Sequence, residues 1–203
     1  MSTVIMPPAN PLPPFPVRRF TVDQYHCMIQ AGILTEDDDV ELLEGWICEK
    51  MGRNPPHDCS LGKTTRVLNR LLPAPWIVRG QSAITTDDSE PEPDIAVVPG
   101  PDDLYFDHHP TPAEIGLLIE VAEASLQHDR NDKGPVYAAA SIGGYWIINL
   151  VDRQVEVYTD PTGPALNPHY RQHKDYRPGD QVPLMIAGQN CGGIAVDDLL
   201  PPP

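Results

Sequence analysis

Basic residues are scarce in this 203-residue chain, which has 14 lysines and arginines against 29 aspartates and glutamates. The formal net charge of -15 repels polyanions such as DNA at long range. The composition therefore argues against an unaided, tight binder of nucleic acid.

Signatures of several enzyme and metalloprotein classes are missing. The four cysteines form no CxxC pair and have no zinc-ligand spacing, so we interpret them as reduced thiols. The chain contains no Gly-rich phosphate loop, no G-x-S-x-G nucleophile elbow and no HExxH zinc motif. The histidines lack ligand spacing as well, and we expect surface or helix-capping roles for His57, His108 and His109.

Long apolar runs are missing too. No stretch approaches the roughly 20 apolar residues of a membrane helix, and the first residues do not resemble a secretory signal. We expect a soluble, cytoplasmic protein with no membrane partner. The length suits one domain, and the six prolines of residues 1–17 predict a Pro-rich disordered arm, which leaves residues 18–203 as the single domain.

Local patterns predict an α/β fold. A capping box at residues 21–24 and Gly32 predict a helix over about 21–31, and Leu61, Leu68 and Leu72 predict another over about 58–72. Short apolar or alternating runs predict strands, two within 39–51 and others at 77–78, 94–98, 117–121, 145–149 and 155–158. The apolar runs 117–121 and 145–150 suit central strands, connected by a helical segment near 132–141. We expect a small strand or turn extension and a polar end at the C-terminus.

Two acidic residues lie at or within these apolar strands: Asp94 begins one, and Glu120 is inside another. A carboxylate on a buried strand is unfavourable unless it is paired or holds a cation, and two converging carboxylates suit Mg²⁺ or Mn²⁺. Alternatively, Glu120 pairs with an arginine or caps a backbone group. Both interpretations stay open at this point.

The order of these motifs resembles the Uma-two family of putative restriction endonucleases, within the PD-(D/E)XK nuclease superfamily. The resemblance covers roughly residues 20–160 and is carried by the joint order of the motifs. They are Gly32 to Asp38, Val40 to Gly45, His57, Gln81, Ser89 to Ile95, Ile119 to Ala122, Asp129 to Lys133, Tyr137 and Tyr145 to Ile148.

The resemblance implies a restriction-endonuclease-like core, a mixed β-sheet flanked by helices, and phosphodiester hydrolysis with DNA as the expected substrate. It implies that Asp94 and Glu120 bind Mg²⁺ or Mn²⁺ beside a lysine that positions or helps deprotonate the attacking water. Glu41 is a further candidate metal ligand, or else a hairpin carboxylate with no such role. Gln81 is a candidate contact to phosphate or water, or else a plain strand-edge glutamine.

The lysine departs from the superfamily pattern, because Ala122 stands where a literal ExK motif has its lysine. The resemblance implies that Lys133, on the following helix, takes this role, and the alternative is a solvated lysine. Proline is tolerated only in the first turn of a helix, so Pro135 predicts a helix that starts near Asp132. Such a start would displace Lys133 from the metal.

A basic helix face is the candidate DNA contact, formed by Lys63, Arg66 and Arg70 at positions i, i+3 and i+7. The alternative is an ordinary solvated face. For the whole protein, the rival to a nuclease is a catalytically silent binding or interaction module that pairs through an exposed strand edge. A homodimer is open under either interpretation.

Overall fold

The computed structural model describes residues 16–35 and 37–202. Its centre is a six-stranded sheet in the order β3-β4-β5-β6-β7-β8, in which only β5 and β6 are parallel to each other. The strands are β3 (Trp76–Gly80), β4 (Ile95–Pro99), β5 (Leu117–Ala122), β6 (Gly144–Asn149), β7 (Gln154–Pro161) and β8 (Tyr170–Tyr176). The predicted mixed sheet with flanking helices is confirmed.

The remaining elements surround this sheet. They are the helices α1 (Val22–Gln30), α2 (Pro55–Leu71), α3 (Leu126–His128) and α4 (Gly134–Ala139), and the hairpins formed by β1 (Val40–Leu43) with β2 (Trp46–Glu49) and by β9 (Gln181–Ile186) with β10 (Gln189–Ala195). A π-helical turn, Asp129–Lys133, joins α3 to α4. Short 3-10 turns follow β4 and β10 and precede β5.

Two local predictions are confirmed. Thr21 and Gln24 exchange hydrogen bonds between side chain and backbone, so the capping box does begin α1. Glu44 and Gly45 have φ angles of 47° and 78° and form the two-residue turn between β1 and β2. Positive φ at both central positions is typical of a type I′ turn, whose twist fits the two strands of a β-hairpin.

The centre of the sheet is buried on both faces, as its apolar runs predict. Every residue of β5 is buried, and α2 with the β9–β10 hairpin covers one face. Residues of α3 and α4, including Val136 and Tyr137, cover the other face. The helical segment 126–139 is also the crossover between the parallel strands β5 and β6, so that prediction is confirmed.

The C-terminal prediction is wrong in part. The region forms a sheet strand and a complete hairpin, and Leu199 and Leu200 are buried in the core where a polar end was expected. Ser60 in α2 donates a hydrogen bond to the carbonyl of Leu199 at 2.7 Å. Apolar burial and this bond together dock the end of the chain on α2.

The predicted apolar face of α2 also needs correction. The buried residues are His57, Ser60, Thr64, Val67 and Leu68, whereas the spacing had pointed to Leu61, Thr65, Leu68 and Leu72. Ser60 and Thr64 can be buried because each hydroxyl donates to a carbonyl oxygen. A pattern that counts only apolar side chains therefore does not predict the burial of serine and threonine residues whose hydroxyl groups are hydrogen-bonded.

No helix of residues 16–35 and 37–202 is long and apolar enough to span a membrane. Most of the predicted disordered arm, residues 1–15, lies outside the described residues. The assignment of residues 18–203 to a single domain stays a prediction.

Candidate functional site

Asp94 and Glu120 lie together at the pairing of β4 with β5. Asp94 directly precedes β4, whose Ile95 is opposite Ile119 of β5. The backbone N–H of Asp94 donates to Glu120 Oε2 at 3.1 Å, and the N–H of Val121 donates to Asp94 Oδ2 at 2.8 Å. The antiparallel register therefore holds both carboxylates, which are buried, against the same short stretch of backbone.

Lys133 lies beside these acids. Its Nζ atom is 3.1 Å from Glu120 Oε1 and 3.4 Å from the carbonyl oxygen of Glu92, and the side chain is only 7% exposed. The displacement expected from Pro135 does not occur. The helical segment begins at Leu126, well before Asp132, and it widens into the π turn just before Pro135. A proline ring clashes with the carbonyl four residues earlier in a regular α-helix, and a π turn changes that geometry.

Glu41 completes the surroundings of Lys133. Strand β1 carries it, and its Oε2 atom lies 3.3 Å from Lys133 Nζ and accepts a hydrogen bond from the N–H of Glu92 at 2.9 Å. Glu41 is 1% exposed. Two predicted acidic site residues, one from β1 and one from β5, thus converge on the Lys133 ammonium group.

Burial and charge shift the acidities of this group. Burial raises the pKa of the Glu120 carboxyl to about 8; Asp129 and Asp94 add to this, while Lys133 opposes it. Burial alone would lower the pKa of the Lys133 ammonium, but Glu120, Glu41 and Asp129 hold it above its ordinary value. Lys133 therefore stays protonated at neutral pH.

His57 is a site residue that the sequence analysis missed. It was expected to have a surface or capping role, yet it is buried at the start of α2, and its Nε2 atom lies 3.0 Å from Asp94 Oδ2. Burial alone would raise the pKa of Asp94, but the contact with His57 holds it below the ordinary value. The fold brings His57 to Asp94 from 37 residues away, and no spacing within the sequence indicates that approach.

Tyr137 and Asp129 are further site residues with no assigned role in the sequence analysis. The hydroxyl of Tyr137 donates to Glu120 Oε1 at 2.9 Å. Asp129 is buried, and burial raises the pKa of its carboxyl to about 6. Both belong to motifs quoted for the family resemblance, so the available signal was their place in that order.

All of these site residues except Tyr137 line one pocket, in which acidic side chains outnumber basic ones. Its lining includes five carboxylates and three cationic side chains, which leaves a formal charge of -2 with histidines neutral. The carboxylates are Glu41, Glu92, Asp94, Glu120 and Asp129, and the cations are Lys50, Arg53 and Lys133.

This donor set fits a divalent cation. Carboxylate oxygens are preferred Mg²⁺ ligands, the pocket lining has more carboxyl groups than lysines and arginines, and the buried Oδ2 of Asp129 has no hydrogen-bond partner among residues 16–35 and 37–202. Within the same residues, no three His, Cys, Asp or Glu side chains are already arranged around one ion position. Mg²⁺ is commonly held by one or two carboxylates with water and phosphate as further ligands, so a three-residue cage is not required.

The predicted nucleic-acid contacts lie outside this pocket lining. Lys63 donates to the carbonyl oxygens of Asp197 and Leu200, so it holds the C-terminal segment, while Arg66 and Arg70 are exposed. Gln81 follows β3, and its backbone N–H donates to the carbonyl oxygen of Asp94 at 3.0 Å. The fold therefore brings the acids and Lys133 together, but not Lys63, Arg66, Arg70 or the side chain of Gln81.

Comparison with known proteins identifies a family and a similar fold. Residues 22–192 match the Uma2 family, described as "Putative restriction endonuclease". A similar solved structure is that of "a putative nuclease belonging to DUF820" from Anabaena variabilis ATCC 29413, with a TM-score of 0.59 and 15% sequence identity over 89% of this chain and 97% of the other. At that identity the structural match shows a shared fold. No curated protein matches this chain.

Proposed function

The chain belongs to the Uma2 family, and we propose that it is a divalent-cation-dependent nuclease that hydrolyses DNA phosphodiester bonds in the pocket around Asp94 and Glu120. One observation carries the proposal. Lys133 places a buried ammonium against Glu120 and Glu41, although Ala122 stands where the superfamily motif has its lysine. The acids and the cation of the nuclease pattern are therefore present in space, and only the sequence position of the lysine differs.

Asp94 and Glu120 would hold the Mg²⁺ or Mn²⁺ ion, with Glu41 as a further ligand. When bound, such an ion lowers the pKa of a coordinated water and offsets charge on the phosphate. His57 and the backbone N–H of Val121 fix the Asp94 carboxylate, and Tyr137 and the N–H of Asp94 fix the Glu120 carboxylate. These bonds restrain the acids before substrate arrives, and such preorganisation is what an electrostatic site needs.

Lys133 would act as a hydrogen-bond donor rather than as a base. The neighbouring carboxylates keep its ammonium protonated at neutral pH, so it cannot accept a proton from water. Its longest contact, 3.4 Å to the carbonyl oxygen of Glu92, is the weakest of the three and the easiest to exchange for a water molecule. Lys133 would then orient the attacking water, as expected for a lysine at this place.

Cleavage of supercoiled plasmid in Mg²⁺ or Mn²⁺ tests the proposal. We expect cleavage by the wild-type protein, a loss of at least about 100-fold in Asp94→Asn, and unchanged cleavage in Asp87→Asn, an exposed control outside the pocket. Loss of cleavage should accompany removal of the ion with EDTA.

The rival reading, a catalytically silent module, makes a different prediction in the same assay. A wild-type protein that binds DNA or a protein partner but leaves plasmid intact in both ions, with no difference from Asp94→Asn, would overturn the proposed hydrolysis. Ala122 and the acidic composition support this rival, whereas the contacts of Lys133 with Glu41 and Glu120 support the nuclease.

A further inference from the structure

Asp129 has one carboxylate oxygen, Oδ2, that the fold leaves without a hydrogen bond. It begins the π turn, four residues before Lys133, and is 2% exposed. Its Oδ2 atom is buried and has no hydrogen-bond partner among the described residues, although the residue lines the pocket shared with Asp94 and Glu120. A buried carboxylate oxygen without a partner is rare because it loses its hydration and gains nothing in return.

The backbone of Asp129, by contrast, is well anchored. Its carbonyl oxygen accepts hydrogen bonds from the N–H of Gly134 and from the hydroxyl of Tyr145, the latter at 3.0 Å. The π turn therefore fixes the backbone position from which the Asp129 side chain enters the pocket. π turns occur often at functional sites, where they set side-chain direction at some cost in helix stability.

We propose that Asp129 is a cation ligand of the pocket, whose free Oδ2 turns towards the divalent ion held by Asp94 and Glu120 when that ion binds, because these three acids are not arranged around one ion position without it. The inference rests on the proposed function, because it requires that ion to bind here. It adds a ligand from the helical crossover to the acids that β4 and β5 bring together. The π turn then serves both groups, since it presents Asp129 and Lys133 to one pocket from the same turn.

Calorimetric titration with Mn²⁺, without DNA, tests the assignment. Asp129→Asn removes the charge and retains the shape, and we expect it to bind Mn²⁺ at least about tenfold more weakly than wild type. Asp129→Glu retains a carboxylate and should recover part of that affinity. Asp132→Asn is the matched control, because its mostly exposed carboxylate lies in the same turn but outside the pocket lining, and its affinity should stay within about twofold of wild type.

Thermal unfolding without metal provides a second readout. Asp129→Asn should unfold at about the same temperature as wild type, because it keeps the size of the side chain, removes a buried charge and leaves the backbone bonds to Gly134 and Tyr145 in place. A clear decrease in unfolding temperature would overturn the proposal, since the charge of Asp129 would then be needed to hold the fold.

Two binding outcomes separate this inference from the proposed function. In the first outcome, Asp94→Asn loses Mn²⁺ affinity while Asp129→Asn binds Mn²⁺ like wild type. This result would overturn the role of Asp129 and leave the proposed function standing. Failure of the wild-type protein to bind Mn²⁺ at millimolar concentration would overturn both.

Discussion

Replacing Lys133 by Met should destabilise the protein strongly. Methionine has a similar length and no charge, so the substitution removes the ammonium with little change in packing. Lys133 is 7% exposed, and its Nζ atom lies 3.3 Å from Glu41 Oε2 and 3.1 Å from Glu120 Oε1. Its loss leaves two buried acids without their shared cation.

The distances set the size of the effect. At an effective dielectric constant of about 20, each ion pair at this separation is worth about 5 kcal/mol, most of which is offset by the desolvation of the charges. Removing one partner of a buried pair costs about 3–5 kcal/mol. Burial alone would raise the pKa of Glu41, but His128 and Lys133 hold it below its ordinary value, so Glu41 is charged at pH 7. Glu120 has a pKa of about 8 and is mostly uncharged at pH 7. The loss at pH 7 should therefore be about 3 kcal/mol and come mainly from Glu41.

The pH dependence of this loss follows from Glu120. As the pH rises through about 8, Glu120 ionises in the wild-type protein and gains the ion pair with Lys133. The Lys133→Met variant cannot form that pair, so the stability difference between the two proteins should grow from pH 7 to pH 9. Adding Glu41→Gln to the variant should recover most of the loss at pH 7.

Urea denaturation at pH 7 and pH 9 measures both quantities. Lys174→Met, at an exposed position of β8, is the control and should change the free energy of unfolding by less than about 1 kcal/mol. A loss below about 1 kcal/mol for Lys133→Met at pH 7, or a difference that shrinks towards pH 9, would refute the ion-pair reasoning.

Two further predictions concern charges away from the pocket. Burial alone would raise the pKa of Glu156, but its contacts with Arg130 and other donors lower it to about 2, so we expect Glu156→Gln to cost about 2–3 kcal/mol in urea denaturation at pH 7. Because the lowered pKa stabilises the fold fully above the ordinary value of 4.5 and progressively less below it, the difference should shrink steadily as the pH falls to about 2, and a difference that persists there undiminished would contradict the assignment. If the basic face of α2 binds DNA, replacing Lys63, Arg66 and Arg70 by Ala should weaken binding equally for all sequences and flatten its dependence on salt. An unchanged salt slope in binding titrations would exclude this face, and any loss of stability should come from Lys63, which holds the C-terminal segment.

The parts of the site that the sequence predicted are those with a local signature. Asp94 and Glu120 were visible because a charged residue interrupts an apolar strand run. That interruption has a physical cause, since a buried carboxylate must be compensated. Glu41 and Lys133 had weaker local signatures and depended on the order of motifs in the family resemblance.

The parts that were missed depend on contacts between distant segments. His57 lies in the first turn of α2, and only the packing of that helix against the sheet brings it to its partner Asp94. The π turn at Asp129–Lys133 was hidden because proline rules describe a regular α-helix, and a widened turn satisfies them differently. The C-terminal residues Leu199 and Leu200 were assigned to a polar end because aspartates and prolines surround them, although two leucines suffice to dock a short turn.

The acidic composition and the proposed chemistry are linked through the pocket. With a formal charge of -2, its lining repels a phosphate group, and the net charge of -15 repels DNA as a whole. One divalent cation would cancel the local excess, after which Lys50 and Arg53 at the pocket could meet a phosphate without opposition from uncompensated acids. Lys50 already contacts Glu92 at 2.9 Å, so Arg53, on the exposed loop between β2 and α2, is the pocket cation with the greatest freedom to do so. The proposed function therefore favours binding of the cation before the substrate, because the bound ion would reduce the repulsion between the acidic pocket and a polyanion approaching Asp94 and Glu120.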